Sequence, residues 1–260
     1  MKKTLAAATV VALLVTAQRA HATPSTVFWT PATTYTQPFL VPHLTYDTYV
    51  SERSDLQNDY GLTIGVLPGT KVLGEVGVDF FLPTFTAAGN FGLFDFTQLN
   101  AKVTLAEDGY TKWQPGLSVG IMGVGFESDV SDYHLLHGSL GKAFSLGTVA
   151  VGGYYGLGSE VLWTGSDGEA RGGFMASYTS PDLVVGLPGL NKLVFGADLA
   201  TGKNWFGAAG GGVALYFTPS VSLLTGPVFF LDGDYADATY GTDFMWTFQL
   251  DVDIDLARKK

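Results

Sequence analysis

His137-Gly138-Ser139 sets an imidazole and a hydroxyl two residues apart. On a strand such residues share a face. A histidine beside a serine can carry out acyl transfer when a third group orients the ring. About a dozen residues further on, where a neighbouring strand would supply that group, stand Ala150, Val151 and Gly152, and Glu160 lies too far along. The constellation is incomplete. His134 and His137 are three apart, on opposite faces of a strand, and His43 is distant, so no zinc site is visible. Asp232-Gly233-Asp234, with Asp237 close by, gathers carboxylates in a turn, but the spacing is not that of an EF-hand. It reads as a solvated acidic loop, with loosely held divalent cations as the alternative. Gly207-Ala208-Ala209-Gly210-Gly211-Gly212 is followed by Val213 to Phe217, a strand pattern. A phosphate loop needs a helix N-terminus there, so the glycines read as curvature or close packing.

The elements that must position these residues are strands. No stretch after the N-terminus reaches 18 uninterrupted apolar residues, and no 3.6-residue period is sustained. Two-residue alternation recurs instead. Phe244, Trp246, Phe248, Leu250, Val252, Ile254 and Leu256 take one face of the last segment, and Thr247, Gln249, Asp251, Asp253 and Asp255 the other. Val72, Val76, Val78, Phe80 and Leu82 oppose Lys71, Glu75 and Asp79. Leu99, Ala101, Val103 and Leu105 oppose Gln98, Asn100, Lys102 and Thr104. The pattern predicts twelve strands, over 39–50, 60–67, 71–82, 94–106, 113–126, 133–144, 147–163, 170–179, 191–200, 205–217, 221–231 and 240–256.

The connections alternate between short turns, such as Pro68-Gly69-Thr70 and Thr218-Pro219-Ser220, and longer acidic loops. The acidic loops hold Glu52, Asp55 and Asp59; Glu127, Asp129 and Asp132; Asp167 and Glu169; and Asp232, Asp234 and Asp237. Ser180 to Leu190 breaks the rule, being long and apolar, and reads as a plug or an extra half-strand. A three-residue turn after Leu67 would pair Leu67 with Lys71 and put Gly61, Thr63 and Gly65 on the face of Glu75. Closing the next hairpin with residue 82 opposite 95 sets Glu75 against Lys102 and Asp79 against Gln98. At the seam, His43 and Asp47 approach Asp251 and Asp253. Lys142 and Arg171 are further candidates to point inward.

Alternation does not say which face is wet. Charged residues are only 15% of the chain, against about a quarter in ordinary soluble proteins. That is too few to solvate the outside of a sandwich. Glycine, at 34 of 260 residues, takes much of the polar face, which suits a crowded lumen. Aromatics gather at strand ends. Tyr49, Tyr60, Phe81, Phe94, Phe126, Tyr133, Trp163, Trp205 and Tyr240 sit near the long loops. Trp113, Phe144, Tyr178 and Phe217 sit near the short turns. Two such belts are expected of a barrel spanning a membrane.

Lys2 and Lys3, the apolar run Leu5 to Ala17 and Ala20-His21-Ala22 form an export signal over 1–22. Removing Lys2, Lys3 and Arg19 leaves 11 basic residues against 24 acidic ones, a net of −13. So acidic a chain is repelled by nucleic-acid phosphate. With no cysteine, disulfides, iron–sulfur clusters and thiol catalysis are excluded.

The last strand, Phe248-x-Leu250-x-Val252, resembles the closing strand of bacterial outer-membrane barrels, though Ala257-Arg258-Lys259-Lys260 follows where those barrels end on an aromatic. The resemblance implies an all-β, up-and-down antiparallel transmembrane barrel over 23–260, with a short periplasmic N-terminal segment. Outer-membrane phospholipases and lipid A deacylases carry a His-x-Ser pair similar to His137 and Ser139, which makes lipolysis an alternative. The leading expectation is a narrow, porin-like, non-enzymatic channel for small hydrophilic solutes or ions, weakly cation-preferring, without a cofactor. A closed structural or surface-interaction barrel is the rival. The expected pore-lining residues are Lys71, Glu75, Asp79, Gln98, Asn100, Lys102, Gln249, Asp251 and Asp253. The expected partners are outer-membrane lipids, lipopolysaccharide and small solutes.

Overall fold

The computed structural model describes residues 26–52, 57–83 and 92–256. The export signal, Asp55 and the basic tail 257–260 lie outside the described residues. Alternating sequence becomes strand at every predicted place. The strands are β1 (Pro42–Val50), β2 (Gln57–Gly65), β3 (Val72–Pro83), β4 (Thr97–Leu105), β5 (Gly116–Gly125), β6 (Asp132–Phe144) and β7 (Gly147–Gly156). A two-residue ladder, β8 (Thr164–Gly165) and β9 (Gly168–Glu169), decorates one loop. Then come β10 (Gly172–Thr179), β11 (Leu183–Leu187), β12 (Leu190–Ala200), β13 (Ala208–Thr218), β14 (Val221–Phe230) and β15 (Phe244–Asp253). Among the described residues one α-helix, α1 (Gly233–Tyr240), lies between β14 and β15.

Each long strand pairs antiparallel with the next. β1 pairs with β15, and β10 pairs with β12, so twelve strands close into a ring, with only the half-strand β11 paired on one side among the described residues. The order is an up-and-down meander. Strands of 8 to 13 residues match the roughly nine to eleven that a tilted membrane strand needs.

The faces divide as the alternation requires. Trp246, Phe248 and Leu250 are exposed, while Thr247, Gln249, Asp251 and Asp253 between them are buried. Leu44, Leu62, Val76, Leu99, Val119, Leu136, Val151 and Phe195 continue the apolar band around the outside. Apolar outside and polar inside is the inverse of a soluble sandwich. The molecule is a transmembrane barrel of the bacterial outer-membrane type. Among the described residues no helix is long and apolar enough to cross a membrane; the strands do the crossing.

Register follows the same logic. Glu75 pairs with Lys102 and Asp79 with Gln98, as expected. The β2–β3 turn is longer than three residues: Gly65 pairs with Glu75, and the chain between Val66 and Lys71 forms the turn. The displacement is two residues, an even number, so Gly61, Thr63 and Gly65 still share the face of Glu75.

Two segments depart from a plain meander. Residues 180–190 contain the extra half-strand. β11 continues β10 after an interruption at 180–182, and both pair with β12. Ser180 bridges the break, its N–H donating to Phe195 O at 2.7 Å and its Oγ accepting from Phe195 N at 2.9 Å. The second is the N-terminal segment. Residues 26–38, where the sequence suggests a short periplasmic segment, run inside the barrel, reaching towards the long-loop end at Trp29 and returning to the short-turn end before β1. Ser118, Ser139 and Ser177 donate to the carbonyls of Thr33, Pro31 and Ala32. Thr36 donates to Thr104, and Gln37 N–H to Glu75. Glycine on the inner wall makes the room. A Cβ at Gly65 would stand 2.3 Å from the carbonyl oxygens of Gln37 and Pro38, and one at Gly210 would stand 2.9 Å from Phe28 Cβ.

Candidate functional site: the lumen

The inner wall is built from alternate residues of neighbouring strands, so its chemistry follows from parity and register. On one side the N-terminal segment fills the space. Its turn is clasped by Asp198 of β12, whose Oδ2 accepts the backbone N–H groups of Phe28, Trp29 and Thr30 at 3.0, 2.8 and 2.6 Å. Three N–H groups converging on one carboxylate make a strong charge-assisted clasp. Gln249 Nε2 donates to Phe28 O at 2.7 Å, and Val27 and Phe28 pack on Ala214, Tyr216 and Leu224.

At the long-loop end, rings cover the lumen. Trp29 meets Tyr49 and Phe230 edge-on, with centroids 5.6 and 5.5 Å apart, and donates from Nε1 to Phe206 O at 2.8 Å. Trp205 packs on Tyr133 at 4.5 Å and on Phe206 at 5.2 Å. Tyr240 of α1 stacks on Phe230. The belt expected at this end is therefore split. Tyr60, Phe94 and Phe126 face outward, whereas Tyr49 and Trp163 are buried and Phe81, Tyr133, Trp205 and Tyr240 turn inward. Tyr49 lies on the same strand face as Asp47, and that parity sends it inward. At the short-turn end Trp113, Phe144, Tyr178 and Phe217 are all exposed.

Beneath the rings and beside the N-terminal segment, a cavity of about 190 Å³ remains against β1–β6. At about 10–15 Å³ per water centre it holds roughly 13 to 19 waters. Glu75, Asp79, Gln98, Asn100, Lys102, Gln249 and Asp251 are on its wall. Asp253 is buried just beyond it, accepting from Gln37 Nε2 at 2.8 Å. Lys71 does not belong to the lumen. It sits in the β2–β3 turn, one residue before β3 begins, and is exposed with its Nζ 5.1 Å from the Tyr110 ring centroid. Alternation extended past the strand end misplaced it.

The buried charges are paired where a partner is in reach. Lys102 Nζ lies 2.9 Å from Glu75 Oε1. His43 stands between Asp253 at 2.9 Å and Asp251 at 3.3 Å, where its ring can donate to both only as imidazolium. Asp47, opposite Gln249, does not share that clamp. Lys142 and Arg171 stay away from the cavity. Lys142 bridges Glu107 and Asp108 at the short-turn end, and Arg171 binds Glu169 and the carbonyls of Gly156 and Gly158.

His137 and Ser139 share a face, but it is the inner one, 5% and 2% exposed. Ser139 turns to Pro31 O, and no hydrogen bond joins the pair among the described residues. Neither side chain faces lipid. Asp232, in the acidic loop, is structural: its Oδ1 accepts from Tyr235 N at the start of α1, and its Oδ2 accepts from Ser166 N in the β8–β9 loop. Among the described residues no group of three or more acidic or histidine side chains is placed to hold a metal ion.

Sequence reasoning missed Asp198, Trp29 and the inward role of Asp59. Its place among the acidic loop residues suggests that Asp59 is external, yet it belongs to β2 and shares the parity of Gly61 and Thr63. That parity was the available signal.

No protein-family model and no curated protein matches the chain. Solved structures similar to it include outer membrane phospholipase A from Escherichia coli, at 14% identity over 84% of this chain and 93% of that one, with a TM-score of 0.45. An outer membrane channel from Pseudomonas putida F1 is similar at 11% identity over 91% of this chain and 98% of that one, with a TM-score of 0.44. OmpF from Salmonella typhi, in complex with daunomycin, is similar at 8% identity over 82% and 96%, with a TM-score of 0.38.

Proposed function

We propose that this barrel is a narrow, porin-like channel of the outer membrane that passes small hydrophilic solutes or ions without a reaction, with weak preference for cations. The observation that carries the reading is the cavity of about 190 Å³, walled by charged and amide side chains, inside a barrel whose exterior is apolar. A wall of that kind lowers the energy of an entering charge. The carboxylates of Asp47, Asp59, Asp79, Glu75 and Asp251 outnumber Lys102 and His43 on it, which favours cations. Twelve strands lie between the eight that side chains fill and the sixteen that leave a wide aqueous channel, and the N-terminal segment narrows the path further.

Planar-bilayer recording tests this. Wild type should conduct in small steps, with a reversal potential across a salt gradient on the cation side, larger at low salt. Asp47→Asn with Asp79→Asn should shrink that potential while single-channel events persist. Anion selectivity in wild type would overturn the cation preference. A second reading, a closed structural barrel, is favoured by the depth to which residues 26–38 fill the lumen. It predicts silence in the bilayer for wild type.

A further inference from the structure

Two of the lumen's cations are spoken for: Lys102 by Glu75, and His43 by Asp251 and Asp253. Asp47, Asp59 and Asp79 line the β1–β3 wall of the same cavity. Among the described residues none of the three forms an ion pair with a lysine, arginine or histidine. Asp47 and Asp59 stand directly opposite across the β1–β2 ladder, and Asp79 is a diagonal step away, opposite Gly61. Like charges so placed destabilise a sheet. Asp47 is steadied by one neutral donor, Thr45, and Asp79 by Asn100. Asp59 Oδ1 is buried and has no hydrogen-bond partner among the described residues.

A second observation comes from β6, four strands round the ring. His137 is on the wall of the same cavity, 5% exposed, and its Nδ1 is buried with no hydrogen-bond partner among the described residues. Leaving a buried polar atom unmatched is costly, and a donor brought to it recovers that cost. The cavity wall thus holds unmatched acceptors at two separated points. Its acids are not grouped to coordinate one metal ion. Its long-loop end is walled by Trp29, Phe81 and Trp205, and ring faces attract organic cations.

We infer that the cavity binds a small aliphatic amine. The ammonium group sits among Asp47, Asp59 and Asp79, donating to Asp59 Oδ1. A second N–H or O–H donor at the far end reaches His137 Nδ1, with the histidine proton on Nε2. The inference deepens the permeation reading and rests on it for the route by which the amine arrives.

Isothermal titration of the full mature protein in detergent tests it, with 1,4-diaminobutane as probe and 1,4-butanediol, its uncharged counterpart, as control. The diamine should give saturable one-site heat and the diol none, a comparison that needs no variant. Asp47→Asn with Asp59→Asn should weaken the diamine at least tenfold, while Asp234→Asn, on an exposed residue of α1, leaves it unchanged. His137→Ala should weaken the diamine but not 1-aminobutane, which has no second donor. Absence of diamine heat in wild type, equal binding of the diol, or undiminished affinity in the double variant would each overturn the site. Heat-dependent gel mobility checks that the variants are folded. Conductance in potassium chloride alone separates the two readings. A conducting barrel that ignores the diamine defeats only the amine site; a silent barrel that binds it defeats only the channel.

Discussion

Asp198 Oδ2 takes three successive backbone N–H groups, so Asp198→Ala leaves all three buried without that acceptor. At about 1–3 kcal/mol per unmatched donor, the loss is roughly 3 kcal/mol or more of local stability, enough to free the turn at 28–30. The expected result is that protease cuts between residues 26 and 37 in the variant and not in wild type, and that bilayer steps become larger. Asp198→Asn keeps one acceptor oxygen and should fall between. Equal protection of all three proteins would show that packing of Phe28, and not the clasp, holds the segment. At this scale the sequence was partly legible. Glu75 with Lys102, and His43 with Asp251 and Asp253, followed from parity and register alone. Asp198 was not legible, because its partners are backbone atoms of a segment that carries no periodic signal.

Strands are the elements the sequence shows best, since a two-sided wall forces a two-residue period. That is why all twelve predicted segments contain one. The N-terminal segment 26–38 has no such period, and its only trace in sequence is the excess of inward glycines that accommodate it, Gly65 and Gly210 among them. Helix α1 was hidden for a different reason: eight residues held by one capping carboxylate leave little pattern. Burial raises the Asp232 carboxyl, but the N–H groups of Ser166 and Tyr235 together with Lys203 outweigh it and hold the group below the ordinary value. A carboxyl depressed in the fold lends its stability above its unfolded value, about 3.9, and loses it as pH falls through the folded one. Hydrogen exchange at Tyr235, relative to the free-amide rate at each pH, should therefore be slow at neutral pH and accelerate below about pH 4. Asp232→Ala should accelerate it at neutral pH too, by about 1 kcal/mol of lost capping. An unchanged Tyr235 amide in the variant would assign the loop's order to the Phe230–Tyr240 stack instead.

For the whole molecule, the closed ring sets the expectations. With no edge at which to open, the purified protein should run anomalously in denaturing gels until heated, and its circular dichroism should be dominated by strand. A largely helical spectrum is incompatible with the barrel. An even number of strands brings the start of β1 and the end of β15 to the short-turn side, the periplasmic one in barrels of this type. An epitope inserted beside Asp234 should be reachable by antibody on intact cells and one beside Pro219 should not. The opposite labelling would invert the orientation, and with it the face from which the aromatic rings are approached.

The clasp at Asp198 reads main-chain N–H groups and ignores the letters attached to them. Position 29 can then be rewritten without loosening the grip, so long as the replacement tolerates the same bend. Trp29 is the one residue of the turn that both touches the clasp through its backbone and borders the cavity with its side chain. The segment is in effect a cassette, fixed at its backbone and editable at its tip. A set of Trp29 replacements should retune which solutes the lumen admits while the fold stays in place.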